Sequence, residues 1–101
     1  MGWAKDYIDK LIEGETVQFR PRGHSMTGRV NNGDLVTVEP ISESSRLVTE
    51  DIVLCKVKGA EYLHLIKSVI QDRYLIGNNR GGRNGWIGRN KIYGKCVKVE
   101  K

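Results

Sequence analysis

Residues 20–40 read Arg20-Pro21-Arg22-Gly23-His24-Ser25-Met26-Thr27-Gly28-Arg29-Val30-Asn31-Asn32-Gly33-Asp34-Leu35-Val36-Thr37-Val38-Glu39-Pro40. An extended, partly apolar lead-in (Thr16, Val17, Gln18, Phe19) runs into Pro21, which cannot donate to a β ladder and so ends the strand. The loop that follows carries Gly23, His24, Ser25 and Met26. Gly33-Asp34 then turns the chain into a second strand pattern that opens at Leu35 and closes at Pro40. One hydroxyl, that of Ser25, is thereby presented between two strands. Gly23 permits a close backbone approach and Met26 supplies an apolar anchor. Local chemistry alone reads Ser25 as a turn residue bonded to its own backbone.

Outward from this loop the chain is predicted to be mainly β. On its N-terminal side, Trp3, Tyr7, Ile8, Leu11 and Ile12 form one apolar stripe, which predicts a short helix over residues 2–13 that ends at Gly14 and covers one end of a sheet. On the C-terminal side, residues 41–50 begin polar and loop-like. Ile52, Val53, Leu54 and Val57 make an almost continuously apolar strand, and residues 58–61 a hairpin turn. The partner strand, residues 62–70, places Tyr62, His64, Ile66, Ser68 and Ile70 on one face and Leu63, Leu65, Lys67 and Val69 on the other. Residues 73–76 form a further strand, residues 77–85 a Gly- and Asn-rich loop, and residues 92–99 the last strand. With neither repeats nor an interdomain linker, the 101 residues are predicted to form one β domain (helix 1–14, β core 15–101) with a rolled or barrel-like mixed sheet.

Composition narrows the function classes. No apolar run approaches the roughly 20 residues a bilayer-spanning helix needs. Asp6, Asp9, Glu13 and Glu15 make the first fifteen residues unlike a cleaved signal peptide, so a soluble, cytoplasmic protein is expected. Cys55 and Cys96 lie far apart in strand-like contexts and read as buried reduced thiols. A zinc site from Cys55, Cys96, His24 and His64 has no supporting ligand spacing, and no pattern calls for a cofactor. The net charge of +5 is uneven. Residues 80–101 hold seven Lys or Arg against one Glu, a net of +6, which leaves −1 for the rest. Arg80, Arg83, Arg89, Lys91 and Lys95, with Trp86 to stack on a base, could form a patch for nucleic acid. Alternating lysines are as readily a solvated sheet face, and that reading is favoured.

A hydroxyl that attacks an amide needs a base. His64 fits best: imidazole titrates near ~6.5 and is neutral at pH 7 without deep burial, whereas an amine must be desolvated until its pKa falls by about three units. Lys67 is the alternative base. Three residues along the strand, it faces away from His64 unless the strand is bulged. A strand histidine satisfied by a neighbouring carbonyl is the bland alternative.

The order Gly23-x-Ser25-Met26, then Gly33-Asp34, then an apolar strand, resembles the nucleophile box of the serine peptidases that include LexA-type repressors and signal peptidase I. The resemblance spans roughly residues 16–99. It implies a LexA/signal-peptidase-type β fold, a Ser25 nucleophile, and a general base in the second hairpin strand, where this chain looks like the histidine form. Its oxyanion loop would be Gly23, His24, Ser25 and Met26. Gly77-Asn78-Asn79 resembles the family's closing Gly-Asp-Asn box, so Asn78 stands where an acidic residue would orient the histidine. The family usually has proline where this chain has Gly28, and often a hydroxyl where it has Gly23, which leaves the oxyanion to backbone N–H groups. The implied form is minimal, without a membrane anchor or DNA-reading domain. The leading expectation is a serine endopeptidase acting on a polypeptide substrate through a Ser25–His64 dyad. The alternatives are an inactive peptidase-fold module that binds a peptide or protein, and a basic nucleic-acid-binding β domain.

Overall fold

Residues of β-branched and aromatic type at period two build the strands. In a computed structural model, which describes residues 2–101, Val17 and Phe19 of β1 (Val17–Phe19) and Val36 and Val38 of β2 (Leu35–Pro40) point into the core while Gln18 and Glu39 point out. The almost continuously apolar β3 (Ile52–Val57) is covered on both faces along its centre, with Val53, Leu54 and Cys55 fully buried. A two-residue turn joins it to β4 (Ala60–Ile70). Lys58 and Gly59 both hold positive φ there (53° and 84°), the conformation whose twist matches that of the flanking strands. The chain continues through β5 (Arg73–Gly77), β6 (Arg83–Gly88), a single 3₁₀ turn (Arg89–Lys91) and β7 (Ile92–Glu100).

The seven strands form one sheet in the order β1-β2-β7-β3-β4-β5-β6, and every neighbouring pair is antiparallel. The expected mixed sheet is therefore corrected. β7 inserts antiparallel between β2 and β3, so these two strands, which run in the same direction, are kept apart and do not pair. The expected barrel is corrected too. The sheet curls until Val57 of β3 lies 3.3 Å from where a Cβ on Gly85 of β6 would stand, but it does not close.

The curl separates two apolar clusters. One face of the sheet packs against helix α1 (Lys5–Ile12) through Ile8, Leu11, Phe19, Val36, Val38 and Leu54, joined by Met26 and Val30 from the Ser25 loop. The other, enclosed by the curl, gathers Val53, Cys55, Ile66, Ile76, Ile87 and Ile92. Burying each such side chain contributes about 1.5–3 kcal/mol. The helix is shorter than residues 2–13 and its stripe is narrower than the sequence suggests. Trp3 and Ile12 are 52% and 68% exposed, whereas Ala4 is fully buried. Gly14 ends it at φ +90°, with the Gly14 and Glu15 N–H groups bonded back to the Leu11 and Lys10 carbonyls. The expected 77–85 loop is also too long, because strand pairing resumes at Arg83 opposite Gly77.

The helix sits on the sheet only because Gly94 of β7 lacks a side chain. A Cβ there would stand 2.6 Å from Val38 Cγ1 and 2.9 Å from Leu11 Cδ1. Gly94→Ala is expected to cost roughly 1–3 kcal/mol by overpacking, read as a lower midpoint in urea unfolding with an unchanged slope.

Candidate active site

The Ser25 loop is held by its own polar side chains. The Asn32 amide oxygen accepts from the Gly23 N–H (2.8 Å), Asn31 from Gly28 N–H (3.0 Å), and the buried Asp34 carboxylate from Asn31 N–H (2.9 Å). Gly33 N–H closes the loop onto the Pro21 carbonyl at 3.1 Å, and the Arg20 guanidinium reaches the Gly33 carbonyl at 2.8 Å. Gly23 adopts φ +107°, a left-handed conformation that a side chain would strain. Met26 is buried and pins the turn to the core, while Ser25 beside it is exposed.

Ser25 Oγ lies 3.1 Å from His64 Nε2. The two residues are thirty-nine positions apart and brought together by the fold. His64, on β4, is only 7% exposed. Its other ring nitrogen, Nδ1, lies 2.7 Å from the Asn84 Oδ1. An amide oxygen only accepts, so Nδ1 carries the proton and Nε2 is left with a lone pair facing the serine hydroxyl. The Tyr62 ring flanks the imidazole, centroids 4.8 Å apart. Burial lowers the His64 pKa from its ordinary value, the Asn84 bond opposes this, and the charge of Lys67 adds to the lowering. The net direction is downward, so the ring is a neutral base at pH 7.

Asn84 takes the place expected of Asn78. Asn78 instead ties its own loop, its Oδ1 accepting from the Arg80 (2.9 Å) and Gly82 (2.8 Å) N–H groups. Asn84 reaches the histidine through a β-bulge. Gly85 pairs with Ile76 and Arg83 with Gly77, which leaves Asn84 as the extra residue between them. Asn79, next to Asn78, joins the two halves of the site. The Asn79 N–H donates to the Ser25 carbonyl (2.9 Å) and its side-chain amide to the Thr27 carbonyl (2.8 Å). Neither role had a signal in the sequence beyond the abundance of asparagine in this loop.

Lys67 is likewise a bulge residue, between Ile66 (opposite Ile76) and Ser68 (opposite Leu75). Its aliphatic stem packs over Gly77, where a Cβ would lie 3.0 Å from Lys67 Cγ. Among the described residues Ser25 Oγ bonds His64 and not Lys67. His24 is exposed, and its carbonyl accepts from the Thr27 N–H and hydroxyl. The backbone N–H of Ser25 has no hydrogen-bond partner among the described residues.

The expected basic patch does not assemble. Arg89 is spent on the Tyr74 hydroxyl and the Ser42 and Ser45 carbonyls, and Lys95 pairs with Asp51 at 3.4 Å. Arg80 and Arg83 are exposed near the Asn78 turn, and Lys91 lies on a different cleft. Among the described residues no three His, Cys, Asp or Glu side chains converge as metal ligands. Cys55 and Cys96 are both free thiols, and burial pushes the Cys55 thiol up to about 12.

The dyad opens on a cleft of roughly 260 Å³ lined by Trp3, Arg22, Met26, Tyr62 and Leu63. Its floor is an unpaired strand edge. β4 pairs with β3 from Ala60 onward but with β5 only from Leu65. The Trp3 indole N–H occupies the Glu61 carbonyl at 3.2 Å, closing one end of that edge. Among the described residues no helix is long and apolar enough to cross a membrane. Compared with the models of known protein families and with curated proteins, the chain finds no match.

The ring nitrogens of His64 are expected to titrate below 6.5 by NMR, with the proton on Nδ1 in the neutral form. Lys67→Met is expected to move that pKa up. In the folded state the ring refuses a proton that the unfolded chain accepts, so stability falls as pH drops through 6.5 and levels off below the folded pKa. A His64 titration above 6.5 would contradict the burial seen here.

Proposed function

We propose that the chain is a serine hydrolase resembling the LexA/signal peptidase I class and that it cleaves a peptide bond with Ser25, His64 and Asn84. The observation that carries this reading is the continuous hydrogen-bonded line from Ser25 Oγ through the two His64 nitrogens to Asn84 Oδ1. A buried, neutral imidazole, held in the tautomer that leaves a lone pair on a hydroxyl, is what nucleophilic attack by serine requires.

In this mechanism the peptide lies in the 260 Å³ cleft as an added strand, pairing with the free β4 edge at Leu63. Ser25 Oγ attacks the scissile carbonyl carbon while His64 Nε2 takes its proton. Asn84 holds the imidazolium in place, and the unpaired Ser25 N–H faces the developing oxyanion. The proton passes from Nε2 to the leaving amine as the C–N bond breaks. Water, deprotonated by the same nitrogen, then attacks the acyl carbon; the ester C–O bond breaks, Nε2 returns the proton to Ser25 Oγ, and the starting state is restored. Lys67 stays outside the proton path and acts by its charge alone.

A second reading, a peptide-binding module without turnover, is favoured by one observation. The orienting group is an amide, which stabilises the imidazolium less than a carboxylate does.

Ser25→Ala and His64→Ala are each expected to lower hydrolysis of a denatured-protein mixture by about 10³-fold or more, measured as new peptide termini. A fluorophosphonate is expected to label Ser25 and no other residue. Peptide affinity that survives Ser25→Ala, in a wild type that neither cleaves nor labels, would establish the binding module instead. Asn84→Ala is expected to reduce kcat by about 10²–10⁴-fold. Asn84→Asp is expected to keep activity and shift the acid limb of the pH–rate profile upward, because a carboxylate raises the imidazole pKa.

A further inference from the structure

Where the curl of the sheet brings β6 and the 3₁₀ turn up to the end of β3, a cleft of roughly 540 Å³ remains. Four cations line it from four parts of the chain: Lys56 from β3, Lys58 from the hairpin turn, Arg73 from β5 and Lys91 from the 3₁₀ turn. No carboxylate lines it, and among the described residues none of the four cations has a salt-bridge partner. The one carboxylate directly opposite Lys56 in the ladder, Glu61, turns its oxygen to the Ala4 N–H at 2.7 Å instead. Holding four like charges around one concavity is unfavourable unless an anion enters it.

The same cleft carries an aromatic face. Trp86 is 41% exposed, and with Arg73 and Ile70, itself 58% exposed, it continues the cleft as an apolar shelf. β6 is moreover the outer strand of the sheet, so its outward N–H groups have no strand partner. Phosphates need cations and N–H donors, and an unpaired base needs an open π face beside them. A base held in a duplex has no face to offer Trp86. An acidic peptide would engage the cations but leave the indole unused.

We propose that this seam is a binding site for single-stranded nucleic acid, with phosphates held by Lys56, Lys58, Arg73 and Lys91 and one base stacked on Trp86. The site is separate from the Ser25–His64 cleft, with which it shares no lining residue.

The test is fluorescence anisotropy of a labelled oligothymidylate of about 12 nucleotides titrated with the intact protein over a range of salt. The expected result is binding whose log affinity falls against log salt with a slope of about −3, four cations each contributing about −0.7. Trp86→Ala is expected to weaken binding about 10-fold without changing the slope, and Trp86→Phe to recover most of the loss. Lys56→Gln and Lys91→Gln are each expected to flatten the slope by about 0.7. Both lysines are solvent-accessible, so these variants keep the test open even if Trp86→Ala fails to fold. Absence of binding at low salt would overturn the proposal and leave the lysines as edge protection. Equal competition by polyglutamate together with an inert Trp86→Ala would overturn it in favour of an acidic polypeptide. Tighter binding to a duplex of the same length would overturn the stacking.

Discussion

A buried imidazole has two nitrogens to satisfy, and the surroundings of the site follow from how this is done. His64 stands on a strand whose flanking positions are core, so water cannot serve either nitrogen freely. Leaving one unpaired would cost about 1–3 kcal/mol, a large share of what a chain of this length has to spare. One partner, Ser25, arrives on a loop outside the sheet. The other, Asn84, arrives from a strand two positions away in the sheet order. Loop and sheet are thus tied through one ring, and the Asn79 bridge between the Ser25 carbonyl and the 77–82 turn ties them a second time.

A regular pleat would not deliver these groups. Side chains alternate strictly along an undistorted strand, so His64 and a residue three positions on face opposite sides. The two bulges, at Lys67 in β4 and Asn84 in β6, both occur in the ladders flanking β5, beside the histidine. Each adds a residue that belongs to neither face and can be aimed independently of the core pattern. At Asn84 this brings an amide oxygen to Nδ1. At Lys67 it lays the stem over Gly77 and puts a positive charge within influence of the ring.

This also explains what was legible in the sequence. Strands with period-two burial, such as β2, and the apolar β3 announce themselves, and so do the loop glycines and the Ser25 and His64 positions. β6 does not: Arg83-Asn84-Gly85 has the composition of a loop, and pairing there depends on β5 being alongside. Asn78 and Asn84 are the same residue type six positions apart, and only the bulge decides which one meets the histidine. The helix stripe overstated burial: Ile12 is exposed, and Trp3, ahead of the helix, lies half-exposed against Phe19 with its indole N–H on the Glu61 carbonyl, whereas Ala4 is fully buried. The failure to close is a property of both outermost strands, β1 with three residues and β6 with six, and no single segment encodes it.

The electrostatics of the site set two demands against each other. Desolvation and the Lys67 charge keep His64 neutral, so the base is available at pH 7, but the same influences disfavour the imidazolium that must form when it takes a proton. An aspartate at the orienting position would ease the second demand and worsen the first, by holding a proton on the ring at rest and by burying a charge. An amide oxygen fixes the tautomer and raises the pKa only modestly, with no ion to desolvate. Asn84 and Lys67 therefore act as opposing adjustments on one ring. The balance favours a base that is free at rest over one that is strongly stabilised when charged, consistent with a shallow site in a sheet too small to shield a second ion.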